Sequence, residues 1–283
     1  MADETEIEEL LADYGYTVVL RNTDRLWRIL AERRIFVGWS EPRPPNVPAI
    51  ELGKAARIEA TAAFYGGGPL CSMGLASYSH SPLRGQALSI GRYCSIAIGL
   101  RMFGERHPIE RYTSSRFSYT SSAAPTRAIA AIVNDYMGGQ YDGVAKPTDP
   151  RPVDITIGHD VWIGQDVTLA SGITLGSGCV VGAGSVVTTS VPAYHIWRGN
   201  PAQYVRMRFP MEIASRLLLS QWWNCHPTLL FECGVAVGET SRDRSMRPVP
   251  EFLDRLDDAK ANGTAVPFEP TSTSWEDIRA ALA

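Results

Sequence analysis

The side chains of this chain best suited to move protons near neutral pH are its five histidines, because imidazole changes charge in that range. They are His80, His107, His159, His195 and His226. His107 stands apart, since it lies in the polar stretch GERHPIERYTSSRF, just beyond a patterned apolar segment. A histidine in such a place can act as a general base that removes a proton from a hydroxyl or an amine. His107 is therefore the first candidate for chemistry.

The element that must position His107 is a repeat with a period of six residues. Residues 157–192 read IGHDVW, IGQDVT, LASGIT, LGSGCV, VGAGSV and VTTSVP, and an aliphatic residue opens every hexad. Glycine or alanine follows it in the first five hexads, and Thr188 in the sixth. This period fits neither a helix nor a hairpin but is typical of stacked coils of short parallel strands, three hexads to a turn. We expect the small residues where a tight bend between faces needs the permissive backbone of glycine.

The same repeat occurs earlier in the chain. Residues 90–101 read IGRYCS and IAIGLR, and residues 52–63 form a looser precursor, LGKAAR and IEATAA. Between the two runs, residues 102–152 are polar and contain no hexad. Segments of this length inside a compact domain are usually functional or disordered, so we predict a long inserted active-site loop.

The residues before the repeat predict a small α/β segment. Thr5 and Glu8 form a capping-box pattern that opens a helix, and Gly15 can end it. The pattern after Gly15 predicts a strand at 16–20, a helix at 23–34 and a strand at 35–39. The proline-rich residues 42–48 follow.

The residues after the repeat predict helices. Pro210 suits a first helical turn, and apolar residues recur at helical spacing after it, at Ile213, Leu217, Leu218 and Trp222. We expect this helix to cap the coil. Shorter helices are predicted at 251–261 and from Ser274, which has Asp277 three residues later.

These patterns divide the chain into three parts. Residues 1–48 are an appended α/β segment, residues 49–209 a mainly β domain with the insertion at 102–152, and residues 210–283 a helical extension.

Composition limits the possible partners. The net charge is −3, the pI is about 6.0 and no run of lysine or arginine occurs, so we expect no nucleic-acid partner. The acidic start of the chain does not resemble a secretion signal, and no stretch of 18 apolar residues occurs, which predicts a cytoplasmic protein without membrane insertion. Five cysteines without a CxxC pattern indicate neither a disulfide nor a zinc site.

Four motifs in a fixed order resemble a known family. They are IGRYCSIAIGLRMFGERHPIERYTSSRF, ITIGHDVWIGQDV, GAGSVVTTSVPAYHIWRGNPA and QWW. Together they are similar to the xenobiotic acetyltransferases, which include the type B chloramphenicol and streptogramin acetyltransferases, over roughly residues 73–225. The resemblance implies a left-handed parallel β-helix, an acetyl-CoA-dependent acetyltransferase and a homotrimer whose cofactor lies in the groove between two prisms.

The resemblance also implies a mechanism. His107 matches the catalytic histidine of the family, which deprotonates the acceptor for direct attack on the thioester without an acyl-enzyme. Glu110 would orient the imidazole ring or meet the acceptor. A nearby donor such as a backbone N–H would stabilise the tetrahedral oxyanion.

Six further positions match residues near the cofactor in the family. They are Trp162, Gly182, Ala183, Thr188, Arg206 and Arg208. The tryptophan would flank the active site, the three small residues would expose backbone to the pantetheine amides, and the two arginines would bind phosphates. Gln203 departs from the family, which often has lysine after GNPA, so phosphate binding would depend more on the arginines. No resident metal is implied.

Several alternatives stay open. Trp162 could simply cover an edge of the prism, and Arg206 and Arg208 could be ordinary surface charges. His159 and His195 lie within the repeat and are expected to face solvent. The acceptor could be a sugar or polysaccharide hydroxyl, which the appended segments favour, or an antibiotic of the chloramphenicol or streptogramin type. A scaffold without chemistry is the alternative of a different class, whereas a zinc carbonic anhydrase would need more histidines near His107 or His159.

Overall fold

The computed structural model describes residues 10–14, 16–38, 48–83, 88–103, 107–119, 124–139, 154–237 and 244–283. The chain forms two compact units. Unit 1 contains residues 1–102 and 153–283, and unit 2 contains residues 103–152. The three-part division at residues 48 and 209 stays a prediction.

Unit 1 is built on three stacks of short parallel strands. Face 1 consists of Phe36–Val37, Ala63–Phe64, Tyr78–Ser79, Ser95–Ile96, Trp162–Ile163, Val180–Val181 and His195–Gly199, and ends with the antiparallel strand Ala202–Met207. Face 2 consists of Ile58–Glu59, Ser72–Met73, Leu88–Ile90, Ile155–Ile157 and Thr174–Leu175, with Ser272–Thr273 antiparallel at its start. Face 3 consists of Arg101–Met102, Thr168–Leu169 and Val186–Val187. From Leu88 to Val187 the chain passes from face 2 to face 1 to face 3 in each turn, whereas the strands from Ile58 to Ser79 alternate between faces 2 and 1. This arrangement confirms the predicted β-helix.

The first residues of the hexads form the core of the coil. They are Ile90, Ile96, Ile157, Ile163, Leu169, Leu175, Val181 and Val187, and none is more than 3% exposed. They stack because the strands pair in register, so that Ile96 lies beside Ile163 and Ile163 beside Val181. Each such burial contributes about 1.5–3 kcal/mol of transfer free energy.

The small residue after each core position has a different cause from the one predicted. Gly91, Gly158, Gly164 and Gly176 have no positive φ, so a bend that only glycine can make is not the reason. A Cβ on Gly91 would lie 2.5 Å from the carbonyl oxygen of Gly158, and one on Gly158 would lie 2.7 Å from the Ser177 nitrogen. The backbone of the next coil therefore excludes a side chain. Face 3 ends with Val186–Val187 in the described part of the chain, so no further strand stacks beside Thr188.

Replacement of Gly158 by alanine is expected to lower the free energy of unfolding by about 1–3 kcal/mol, because the added methyl group must push two coils apart. Urea melts of the full chain would measure this change. Gly139→Ala is the matched control, since a Cβ there meets nothing within 4 Å. Equal midpoints for the two variants would contradict the stacking explanation.

The N-terminal part of unit 1 is a three-stranded antiparallel sheet with one helix. The strands are Leu10–Asp13, Thr17–Arg21 and Ala49–Gly53, and helix α1 is Asp24–Glu32, which Thr23 caps. The predicted strand at 16–20 and helix at 23–34 are confirmed to within two residues at each end. The predicted first helix is wrong over residues 10–13, where the backbone pairs with Thr17–Arg21 instead. Its signals Thr5, Glu8 and Gly15 lie outside the described residues, as do Trp39 and most of the proline-rich stretch.

Unit 2 contains regular structure that the sequence patterns did not predict. A short 3-10 helix spans Arg116–Ser118, and helix α2 spans Ala124–Met137. The prediction of a loop is therefore wrong for these residues. The sequence pattern does not indicate this helix, because apolar residues such as Ile129 and Ile132 lie on its exposed side and obscure the amphipathic pattern.

The C-terminal part of unit 1 is helical, with α3 at Met211–Ser220, α4 at Pro227–Gly234, α5 at Val249–Ala261 and α6 at Trp275–Leu282. A 3-10 turn, Trp222–Asn224, and the strands Val235–Val237 and Arg244–Met246 lie between them. The predicted starts at Pro210 and Ser274 are confirmed, the latter by a capping box with Asp277. Helix α3 packs with Tyr194 after the last coil, whereas α6 joins the main core. Helices therefore cover both ends of the stack.

Candidate functional site

His107 is held by a backbone carbonyl within unit 2. Its Nδ1 lies 2.7 Å from the Ser114 carbonyl oxygen. A carbonyl oxygen can only accept a hydrogen bond. Nδ1 therefore carries the proton, and its N–H donates a hydrogen bond to the Ser114 carbonyl. This fixes the tautomer and leaves the lone pair on Nε2 available to take a proton. The side chain is exposed in unit 2, so an acceptor can reach it.

Tyr119 flanks the same imidazole. Its hydroxyl oxygen lies 3.4 Å from Nδ1 of His107, and the two rings meet edge to face with centroids 6.1 Å apart. The 3-10 turn before Tyr119 is held by Ser118, whose hydroxyl donates to Ser115 and whose carbonyl accepts from Arg111. The turn thus fixes the position of Tyr119 beside the ring.

Glu110 is exposed in unit 2 and makes no hydrogen bond to the His107 ring within the described residues. The group that orients the imidazole is the Ser114 carbonyl. Residue types could not reveal it, because a backbone carbonyl has no signature in the sequence. A role for Glu110 toward the acceptor stays a prediction.

Trp162 lies on the outer side of face 1 and is 56% exposed. It pairs with Ser95 on one side and Val180 on the other. Ala183 and Thr188 are also exposed, at two different corners of the coil. Gly182 is different, since its N–H donates to the Trp197 carbonyl and its carbonyl accepts from the Ser185 hydroxyl. Contact of these residues with a cofactor stays a prediction.

The two arginines of the predicted phosphate site lie in different environments. Arg208 forms a 2.7 Å ion pair with Asp160 and donates to the Gly178 carbonyl. Burial raises the pKa of Asp160, and the neighbouring Arg208 opposes that effect. Arg206 is exposed and donates to the Met207 carbonyl at 2.8 Å. The pairing of Arg208 is a structural role that the sequence did not indicate.

His159 does not face solvent as the repeat predicted. Its ring stacks on Trp223 at 4.8 Å and 7°, and its Nδ1 accepts the backbone N–H of Arg92. Burial lowers the pKa of His159, and the positive charge of Arg92 lowers it further. The neutral imidazole is thus part of the packing between the coil and the C-terminal segment.

Arg92 is the centre of this packing. Its guanidinium makes two 2.7 Å bonds to the carboxylate of Glu59, and Nη1 donates to the side chain of Asn224 at 3.0 Å. The same Nη1 lies within 3.2–3.4 Å of the carbonyls of Trp223 and Phe268. Both charged side chains are largely buried. Arg92 thereby joins two coils to the C-terminal segment.

A second aromatic group lies on face 1. His80 stacks on Tyr65 with centroids 5.2 Å apart and meets Tyr78 edge to face at 5.3 Å. Tyr78 belongs to the same outward ladder as Ser95 and Trp162. The three rings, named here the His80 cluster, are half-buried and offer flat aromatic surface. No sequence pattern predicted a role for His80, because its partners Tyr65 and Tyr78 come from two coils.

Other features of unit 1 are structural. The five cysteines are buried free thiols, and burial raises the pKa of Cys71, Cys94 and Cys179 to about 12. His226 caps α4 by accepting the Thr228 N–H. The described residues contain no group of three or more metal-binding side chains. No helix among the residues that the structure describes is both long enough and apolar enough to cross a membrane.

The sequence of this chain is similar to those of known proteins. Residues 154–189 match the family model "Bacterial transferase hexapeptide (six repeats)". A probable macrolide acetyltransferase of Lysinibacillus sphaericus is 32% identical over 157 residues, which cover 54% of this chain and 78% of the relative. The chain thus belongs to the hexapeptide-repeat acetyltransferase family. Its members are acyltransferase enzymes, so the interpretation as a scaffold without chemistry gives way to an enzyme.

Two solved structures are similar to part of this chain. A maltose O-acetyltransferase from Clostridium difficile 630 is 24% identical, with 48% of this chain and 58% of that chain covered and a TM-score of 0.31. A galactoside acetyltransferase in complex with coenzyme A is 23% identical, with 55% and 64% covered and a TM-score of 0.30. The chain spans less than two thirds of each of these solved chains.

Proposed function

We propose that this enzyme transfers an acetyl group from acetyl-CoA to a hydroxyl group of a saccharide or a sugar-bearing small molecule, with His107 as the general base. The observation that carries the proposal is the 2.7 Å contact between Nδ1 of His107 and the Ser114 carbonyl. It selects the tautomer in which Nε2 can accept a proton, which is the property that a base in this reaction needs.

The reaction follows from this tautomer. Nε2 removes the proton of the acceptor hydroxyl while the oxygen attacks the thioester carbonyl carbon, which gives a tetrahedral oxyanion. The attack forms the new C–O bond of the ester. When the oxyanion collapses, its C=O bond is restored and the C–S bond breaks. The imidazolium then returns its proton to the departing coenzyme A thiolate. The bond to Ser114 stabilises the imidazolium throughout, because a carbonyl accepts more strongly from a cation.

Acetyl-CoA would be bound by the residues of the coil. Trp162, Ala183 and Thr188 are exposed and can contact the pantetheine arm, whereas Gly182 has its own backbone groups bonded within the stack. Arg206 is the more accessible arginine for a phosphate, since Arg208 is paired with Asp160.

We also propose a left-handed coil and a homotrimer. The exposed Trp162 and Ile98 support subunit contacts, because large apolar side chains in water favour association.

A saccharide is the first candidate for the acceptor, which the segments appended to the coil favour. A macrolide is a second candidate, which the probable macrolide acetyltransferase at 32% identity favours. Both candidates deliver a hydroxyl to the base.

The test is release of free thiol from acetyl-CoA by the full chain with a panel of acceptors. The panel contains mono- and oligosaccharides, nucleotide sugars, a macrolide, a streptogramin and chloramphenicol. Turnover with a saccharide or with a glycosylated acceptor is the expected result. Turnover restricted to chloramphenicol would contradict the saccharide proposal and keep the acetyltransferase, whereas hydrolysis of acetyl-CoA without any acceptor dependence would contradict both.

A further inference from the structure

One imidazole joins the coil to the 3-10 turn Trp222–Asn224. The ring of His159 lies parallel to the indole of Trp223, with centroids 4.8 Å apart and planes at 7°. Its Nδ1 accepts the backbone N–H of Arg92 at 3.0 Å, so the neutral ring carries its proton on Nε2. His159 is half-buried, so part of the residue stays accessible to solvent. The bond to Arg92 exists only while Nδ1 has no proton.

Arg92 links this imidazole to the turn. Its guanidinium donates to the Trp223 carbonyl at 3.2 Å and to the Asn224 side chain at 3.0 Å. It also donates to the Phe268 carbonyl at 3.4 Å, and the Phe268 N–H donates to the Asn224 carbonyl. One residue thus binds His159 through its backbone and the turn through its side chain.

The charges around the ring determine how it responds to acid. Two charged groups from earlier coils face it, Arg92 and the Glu59 carboxylate that is bonded to the Arg92 guanidinium. The turn packed on the ring contributes the uncharged side chains of Trp223 and Asn224. Burial lowers the pKa of His159, the charge of Arg92 lowers it further, and Glu59 opposes both effects. The surroundings therefore favour the neutral ring.

Other ionisable groups also lie near the ring. Asp160 follows His159 in the chain and is paired with Arg208 at 2.7 Å. Burial raises the pKa of Tyr93, whose ring contacts Trp222, and raises the pKa of Cys94 to about 12. His159 is therefore the group of this set whose ordinary pKa, about 6.5, lies closest to neutrality.

Protonation of Nδ1 would place its N–H against the N–H of Arg92 and add a positive charge beside the guanidinium. The Arg92 amide would lose its acceptor, and repulsion would weaken the bonds from Arg92 to the turn. The indole face of Trp223 attracts a cation, which opposes the repulsion but cannot replace the missing acceptor. A histidine released from these contacts has an ordinary pKa of about 6.5. The contact is therefore at full strength above that pH and weakens as the pH falls below it.

We propose that His159 is a pH-sensitive switch, which holds the Trp222–Asn224 turn against the coil at neutral pH and releases the turn when Nδ1 is protonated. Acid thus loosens the turn and the residues bonded to it, while the strands of the coil stay paired. This conformational response is additional to the proposed reaction and involves neither acetyl-CoA nor an acceptor.

The experiment is hydrogen–deuterium exchange of the full chain, with rates corrected for the intrinsic pH dependence of amide exchange. The amides of Asn224 and Cys225 report the turn, because they bond to the Gln221 and Trp222 carbonyls. Their protection should fall about tenfold from pH 7 to pH 5, within the roughly 25-fold that one histidine with a pKa of about 6.5 in the released state allows. The amide of Trp162, bonded within the coil, should keep its protection.

His159→Asn is the decisive variant, because an asparagine side-chain carbonyl can accept the Arg92 N–H but does not titrate. Protection of the turn in this variant should be nearly the same at pH 7 and pH 5, whatever its value at pH 7. His226→Asn is the matched control. It removes the imidazole that caps α4 just after the turn and leaves His159 in place, so it should respond to acid as the wild type does.

Three outcomes would overturn the proposal. Protection of the turn in the wild type could stay constant between pH 7 and pH 5. His159→Asn could lose protection as the wild type does, which would assign the response to another group. A titration of the wild-type His159 ring by NMR, which needs no variant, could give a pKa at or above the ordinary value for histidine. Acetyl transfer enters none of these measurements, so the result is independent of the proposed function.

Discussion

Replacement of His107 by alanine is expected to lower kcat for acetyl transfer by about a hundred- to ten-thousand-fold, because the acceptor hydroxyl then lacks its base. The KM for acetyl-CoA should change little, since the proposed cofactor contacts come from the coil. Steady-state thiol release with the best acceptor of the panel measures both parameters. The melting temperature should stay close to that of the wild type, because the His107 side chain is exposed in unit 2.

His226→Asn is the matched control for this variant. Asparagine can keep the cap on α4, so the substitution removes an imidazole without removing its structural role. Tyr119→Phe adds a finer comparison. It removes a hydroxyl 3.4 Å from Nδ1 but leaves the bond to Ser114, and the rate should fall much less than in His107→Ala. If the kcat of the His107→Ala enzyme stayed within tenfold of the wild-type value, the proposed role of His107 would be contradicted.

Replacement of Arg92 by methionine is expected to lower the free energy of unfolding by about 3 kcal/mol, at the lower end of the range for a broken buried ion pair. The Glu59 carboxylate would lose both of its guanidinium bonds and stay about four-fifths buried. The carbonyls of Trp223 and Phe268 would lose a donor as well. Denaturant unfolding of the full chain at pH 7 measures the change.

Arg216→Met is the control for this loss. Arg216 forms two ion pairs with Asp254 and Asp257 on the surface, and such pairs contribute little in water. The melting temperature of the Arg216→Met variant should therefore stay close to the wild-type value. The double variant Glu59→Gln, Arg92→Met should recover part of the lost stability, because no charge is left buried without a partner. Equal losses in Arg92→Met and Arg216→Met would contradict a central role for Arg92.

The repeat made the fold of the coil predictable, because a period of six has few physical realisations. The six aliphatic positions of residues 157–192 specify which side is buried, and the structure confirms that arrangement. The reason for the glycines was not predictable from one coil. Gly158 must be small because the backbone of Ser177 lies above it, and that neighbour is 19 residues away in the chain.

The elements outside the coil were predictable only where local signals agreed with tertiary contacts. Ser274 and Asp277 form a capping box that begins α6, and the sequence contains that signal in full. Leu10–Asp13 became a strand because a neighbouring strand offered backbone partners, and helix propensity could not compete with that pairing. Helix α2 lacked a clear polar face, so its pattern was hidden.

The candidate base was predictable from residue types, but its environment was not. The motif around His107 indicates that this residue is the base. The group that sets its tautomer is the backbone carbonyl of Ser114, which no motif indicates. Arg92 and Asp160 are bonded to Asn224 and Arg208, which are far from them in the chain, and no spacing in the sequence reports such contacts.

The stack of strands continues without interruption across the point where unit 2 is inserted. Leu88–Ile90 pairs with Ile155–Ile157, and Arg101–Met102 pairs with Thr168–Leu169, although about fifty residues separate the two coils in the chain. Closing a longer connection at such a corner costs only about 0.6 kcal/mol for each doubling of its length. The stability of the coil therefore constrains the length of the inserted segment only weakly. The segment can be longer or shorter while the strands on either side of it keep their register.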